Sequence, residues 1–245
     1  DQYSPENPEK TGTVAAFSVK EGELAGKEAC KRDLLAKLDG TNGLAVAQNG
    51  YLEYTPEKPL FTFIGRLNGQ KGLDTLINAV EIFFGANNDG QVIILGSGEK
   101  YFEDWLQRIA VERKYQGKVC FLQGFDPLMA NKIYAGGDFF LIPSRFEPCG
   151  LTDFIAQLFG NLPIVHQVGG LVKVKDGETG FGYQGNYPDK LAATMVRAVT
   201  IYKEPEKLLA MQKTASLTID KQFNWAKVIK KYVDLYKKAA AKKGG

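Results

Sequence analysis

Histidine is nearly absent from this chain of 245 residues: His166 stands alone. A histidine-based metal site, or a triad built on histidine, therefore has little material. Cysteine is almost as scarce. Cys30, Cys120 and Cys149 lie far apart, form no CxxC and, being odd in number, do not make a disulfide framework. That usage favours a reducing compartment over a secreted one. An excess of one charge is lacking too. The net charge is +3, from 31 basic and 28 acidic residues, whereas a nucleic-acid binder normally carries a strong basic excess on one face. The lysines of KVIKKYVDLYKKAAAKKGG, at the end, read as the solvated face and frayed tip of a last helix. No apolar run approaches the roughly 20 residues of a membrane span. The first residues, DQYSPENPEK, lack the charged-then-apolar layout of a signal peptide. The chain opens on Asp1 rather than Met, as an excised piece of something longer would.

Two nucleotide fingerprints are also incomplete or absent. GSGE at 96–99 is only GxG, because Tyr101 stands where G-x-G-x-x-G needs its third glycine. A nicotinamide dehydrogenase is weakly supported for that reason. No GxxxxGK[ST] occurs, which removes the P-loop hydrolases.

What is present is a regular alternation of apolar segments, in a chain whose 44% hydrophobic content suits a protein with a real core. LFTFIG (60–65), QVIILG (91–96), KVCFLQG (118–124), DFFLIP (138–143) and LPIVH (162–166) read as strands, with TGFGY (179–183) a weaker one. Between them, 72–84, 99–115, 127–137 and 151–160 carry helical spacing. Helical stretches over 188–203, 204–216 and 224–240 close the chain. GKEACKRDLLAKL (26–38) is one earlier helix. Pro5 and Pro8 make the start extended or turn-like, and LAVAQ is a short strand candidate in the otherwise unorganised 39–58. The expected organisation is an irregular lead-in over 1–58 with one helix, a core over 59–220, and a terminal helix and tail over 221–245. Strands alternating with helices predict an α/β fold: a Rossmann-like parallel sheet with helices on both faces.

Ligands of such sheets bind at the carboxyl ends of the strands. The loops that matter are then GRLNGQKG, GSGE, GF and PSRFEPCGLT. GRLNGQKG sets Arg66 just beyond a strand and Lys71 beside a helix start, which suits a phosphate better than a pair of solvated cations. In PSRFEPCGLT, Gly150 and Leu151 open the next helix and Thr152 adds a hydroxyl, a second anion-binding start on the same edge. Glu147 suits sugar hydroxyls or a developing positive charge; a pair with Arg145 is the plain alternative. Cys149 is a nucleophile without a base partner, or a small buried residue. Phe125 stacks on a base or belongs to the core, and His166 is either a ligand or a hydrogen-bonded core residue.

IGRLNGQKGLD, SRFEPCGLT and VGGL, in that order and spacing, resemble the starch and glycogen synthases that use a nucleotide-linked glucose. NP near the start, GK…K…L in 26–38, ETGF, and FNWAKVIKKYVDLY near the end are similar to that family as well, so the likeness covers nearly the whole chain. It implies the C-terminal, donor-binding half of a retaining GT-B glycosyltransferase, two Rossmann-like domains with the active site between them. By the same resemblance, Arg66 and Lys71 hold the donor diphosphate and stabilise it as it leaves. Glu147 faces the donor sugar. The backbone of Cys149, Gly150, Leu151 and Thr152 cradles sugar and phosphate, and Phe125 stacks on adenine. The implied substrate is ADP-glucose or a related nucleotide sugar. Neither a cofactor nor a metal is implied, since Arg66 and Lys71 supply the charge. The partners implied are an α-glucan acceptor and the N-terminal domain of the same full-length chain, with no nucleic acid and no membrane. The implied location is the cytoplasm, or a plastid in a plant or alga. The alternative is a standalone, non-catalytic nucleotide-binding module.

The sequence departs from the family pattern in several places. Ile155 replaces the second glutamate that related transferases carry eight residues after the first, and Asp153 replaces the family's glutamine. VGGL stands for TGGL, the stretch VKVKDGETGF is short, and no KxGG loop is present.

Overall fold

The computed structural model describes residues 3–41 and 43–243. Its seven strands form one sheet in the order β1-β4-β3-β2-β5-β6-β7. They are β1 (Ala47–Gly50), β2 (Leu60–Ile64), β3 (Gln91–Gly96), β4 (Val119–Gln123), β5 (Phe139–Ile142), β6 (Leu162–His166) and β7 (Phe181–Tyr183). From β4 to β7 all neighbours are parallel. This is the α/β, Rossmann-like sheet that the alternating pattern predicts, and its order reverses between β2 and β5, the switch point of a doubly wound sheet.

The strands read as unbroken apolar runs because both faces are covered, and successive side chains alternate between two cores. Phe61, Phe63, Val92, Ile94, Phe121, Phe139, Leu141 and Ile164 join one cluster. It is covered by α3 (Leu73–Gly85), α4 (Lys100–Val111) and α7 (Pro188–Tyr202). The intervening residues Leu60, Ile93, Leu95, Cys120 and Leu122 face α2 (Ala25–Lys37) and α5 (Pro127–Gly136). Phe140, Ile142 and Val165 face α6 (Thr152–Leu158) on that same side.

The sheet is not wholly parallel. β1 pairs antiparallel with β4, Ala47 opposite Gln123 and Gly50 opposite Cys120. It begins later than LAVAQ suggests, and its side chains are half-buried or exposed. An edge strand needs no helical crossover and carries less apolar signal, which is why its sequence, AQNG, reads poorly. The start is not merely extended: α1 (Pro8–Thr11) forms one turn capped by Asn7. The helix expected over 99–115 breaks at Glu112, which is extended, before a 3-10 turn at Arg113–Tyr115.

α8 (Pro205–Gln222) returns against the body, and α9 (Trp225–Lys243) leaves it with Trp225, Ile229, Tyr232, Val233, Leu235 and Tyr236 exposed. Among the described residues no helix is long and apolar enough to cross a membrane. A cavity of about 690 Å³ lies at the amino ends of the strands, between α2 and α8. It is lined by Lys27, Lys31, Asp138 and Tyr202 among others. Its two buried ammoniums are already bonded. Lys31 donates to Lys58 O, Asp138 Oδ2 and Tyr202 Oη, and Lys27 donates to three backbone carbonyls.

Candidate active site

The loops after β2 and β5 meet at the switch point. Arg145 N donates to Gln70 O at 2.9 Å, joining them through the backbone. Lys71 ends a 3-10 turn, Gly69–Lys71, and its own amide donates to the capping Asn68 Oδ1 at 3.0 Å; α3 starts only after Gly72. From there the Lys71 ammonium donates to Glu147 Oε2 at 2.6 Å. Ser144, fully buried, donates its hydroxyl to the same oxygen at 3.1 Å. His166 at the end of β6 bonds the Ser144 carbonyl through Nδ1 at 2.9 Å. The Glu147 carbonyl accepts from Gly170 N at 2.7 Å. Glu147 is thus fixed at both backbone and carboxylate by three different loops.

Arg145 does not take Glu147 as its partner. It pairs with Asp74 in the first turn of α3. His166 is a hydrogen-bonded, half-buried residue that braces Ser144. Arg66 is exposed and, among the described residues, makes no hydrogen bond or ion pair. It follows β2 directly, on the same edge as Lys71. Phe125 is not a core residue, being 84% exposed beyond β4. Cys149 is exposed rather than buried.

The turn Cys149–Leu151 precedes α6, which begins at Thr152 rather than at Gly150. Gly150 is buried at φ +69°, and a Cβ there would lie 2.8 Å from Asp153 Oδ1. The VGGL glycines answer a similar constraint. A Cβ on Gly169 would sit 2.3 Å from the Glu147 carbonyl oxygen, and one on Gly170 would sit 2.1 Å from that of Cys149. Residues 169–173 form a 3-10 turn pressed onto the glutamate loop. From its end, Lys173 donates to the carbonyls of Cys149 (2.5 Å) and Gly150 (2.6 Å). Its ammonium lies 3.2 Å from Asp153 Oδ1 and 3.9 Å from the centre of the Phe154 ring. Burial lifts the Asp153 carboxyl to about 6, against the pull of Lys173.

Residue patterns alone do not select Ser144, Gly170 and Lys173 as parts of this site. Ser144 and Gly170 lie inside the quoted motifs, but their contacts arise only from strand order. Lys173 stands in the stretch that departs from the family pattern.

A cation held against a carboxylate at a switch point, beside a turn whose Gly150 and Leu151 amides donate no hydrogen bond among the described residues, suits a ligand with both a phosphate and a polar, hydroxylated part. The sequence model for glycosyl transferases, group 1, matches residues 58–200. The chain belongs to that family. Within these group 1 transferases it sits with the starch and glycogen synthases. The glycogen synthase of Lactococcus lactis is 36% identical over 245 residues, spanning 96% of this chain and 46% of that protein. That of Xanthomonas campestris is 40% identical over 184 residues, 75% of this chain and 37% of that protein. The catalytic domain of starch synthase IV from Arabidopsis thaliana, solved with ADP and acarbose, superposes with a TM-score of 0.79 at 27% identity. That match covers 98% of this transferase chain and 47% of the plant one. The chain therefore spans less than half the length of these relatives.

Proposed function

We propose that this chain is the C-terminal, donor-binding half of a glucan synthase. It takes ADP-glucose and, with an N-terminal domain of the same full-length protein, transfers glucose with retention to the non-reducing end of an α-1,4-glucan. The Lys71–Glu147 contact at the switch point carries the reading, because it sets a phosphate-binding cation and a sugar-facing carboxylate within one hydrogen bond of each other. The ADP held by the starch synthase relative supports the choice of nucleotide. The proposed location is the cytoplasm, as the odd, unpaired cysteines favour.

Breaking the bond between glucose C1 and the diphosphate builds negative charge on the leaving oxygen and positive charge on the ring. Arg66 and Lys71 answer the first, and Glu147 the second. Phe125, exposed beyond β4, is the platform for adenine. Groups already oriented lower the barrier without rearranging, and one such donor is worth about 3 kcal/mol, roughly a hundredfold in rate. Lys71 is already oriented by Glu147, and Glu147 by Ser144.

Calorimetry on the chain tests the donor site. ADP is expected to bind at least about tenfold more tightly than AMP, since the second phosphate is what two cations grip. Arg66→Ala should erase most of that difference. Equal affinities for ADP and AMP in the unaltered chain would remove the diphosphate assignment.

A further inference from the structure

We infer that Lys173 and Asp153 are a positioning pair for the Cys149–Leu151 turn, holding two carbonyls inward so that the following amides face the donor. The inference rests on the donor-site reading above and adds two residues to it. Neither touches the substrate.

The argument begins with the peptide plane. In a trans peptide the C=O of one residue and the N–H of the next point in opposite directions. Lys173 draws in the carbonyls of Cys149 and Gly150. The amides of Gly150 and Leu151 must then point away from Lys173. Among the described residues neither amide donates a hydrogen bond. Gly150 is left-handed at φ +69°, and Leu151 is near the right-handed helical region at φ −106°, ψ −30°. Successive amides in such alternating conformations form a concave nest for an anion. One ammonium therefore sets the direction of two phosphate-facing donors.

Asp153 explains why that ammonium stays in place. Its side chain is completely buried, and neither carboxylate oxygen has a well-formed hydrogen bond among the described residues, although Lys173 and the amides of Asp153 and Phe154 draw on it. A buried carboxylate so poorly satisfied is costly, and its pKa is lifted accordingly. For a carboxyl whose folded pKa exceeds its unfolded one, stability is greatest below about 4 and is lost as pH rises through about 6. At neutral pH the ionised Asp153 is therefore a cost to stability that Lys173 partly offsets. It serves to fix Lys173, 3.2 Å away. The ammonium also rests over the Phe154 ring, 3.9 Å from its centre.

Three variants of the chain test the pair, with ADP affinity and thermal unfolding at pH 8 measured on each. Lys173→Met should weaken ADP about tenfold, because two inward carbonyls lose their charged donor. It should also lower the melting temperature by stranding Asp153. The double variant Lys173→Met with Asp153→Asn should regain melting temperature but not ADP affinity. Asp153→Asn alone should weaken ADP severalfold with no fall in melting temperature. In the full-length enzyme the loss should appear in KM for ADP-glucose more than in kcat. ADP affinity that tracks melting temperature and recovers in the double variant would reduce the pair to a structural role. Failure of the unaltered chain to bind ADP would instead overturn the donor-site reading, and the pair's role with it.

Discussion

Glu147 is held more tightly than a surface carboxylate needs to be. Its Oε2 accepts from Lys71 and from Ser144, and its carbonyl accepts from Gly170. Replacing it with glutamine keeps the shape and a partner for Ser144 while removing the charge. Lys71 would then lose its carboxylate and be freer to meet the diphosphate. Glu147→Gln in the full-length enzyme should therefore leave ADP-glucose binding within about threefold, yet cut turnover by about a hundredfold or more. Calorimetry and initial rates on the same preparation separate the two effects, and unchanged turnover would take Glu147 out of the chemistry. Residue identities alone pointed to Glu147 but not to its partner. Arg145, two positions away, is the local choice, whereas the observed cation, Lys71, is 76 residues away and comes close only because β2 and β5 pair. Phe125 shows the same limit. Its spacing fits a core position, and only the fold reveals that nothing covers it.

At the scale of elements, β2 to β6 were legible because burial on both faces leaves continuous apolar runs. β1 was not, since an edge strand keeps polar residues, and its antiparallel direction is set by the path of the chain rather than by composition. The strand order was not legible either, and it is the order that brings GRLNGQKG against PSRFEPCGLT. Behind the site, α5 and α6 are tied together at their carboxyl ends by one side chain. Lys27 donates to Ala135 O (3.1 Å), Gly137 O (2.5 Å) and Phe159 O (2.9 Å). A cation belongs at helix C-termini, where carbonyls lack partners. Burial pushes this ammonium down to about 8, the cost of placing a charge there. Lys27→Met removes that cost but strands three buried carbonyls, each worth about 1–3 kcal/mol. A net loss of about 3 kcal/mol is expected, lowering the melting temperature by roughly 6–12 °C in a chain of this size. Lys37→Met, which breaks only a partly exposed pair with Asp33 on the same helix, should change stability by less than about 1 kcal/mol. Thermal unfolding followed by circular dichroism measures both. Equal effects would mean that Lys27 is no cap.

At the scale of the whole molecule, the chain gathers charge at one edge of its sheet and spans less than half of its relatives. Arg66, Lys71 and Glu147 lie in the loops that follow β2 and β5, and the turn Cys149–Leu151 belongs to the second of those loops. In the proposed reading all of them answer a donor. The described loops present no comparable constellation for a glucan chain, and glucosyl transfer requires that acceptor in register with C1 of the sugar. A water-excluding wall over the donor is also needed, because an exposed oxocarbenium-like centre would be captured by water. These requirements set donor binding apart from turnover. The 245-residue chain should bind ADP yet transfer no label from ADP-glucose to an α-1,4-glucan. The full-length protein should both bind and transfer, with the label released by an enzyme that cuts α-1,4 linkages from the non-reducing end. Binding without transfer in the full-length protein, across ADP- and UDP-glucose, would make the chain a nucleotide-sensing module. Transfer by the 245-residue chain alone would show that the acceptor site lies on this half after all.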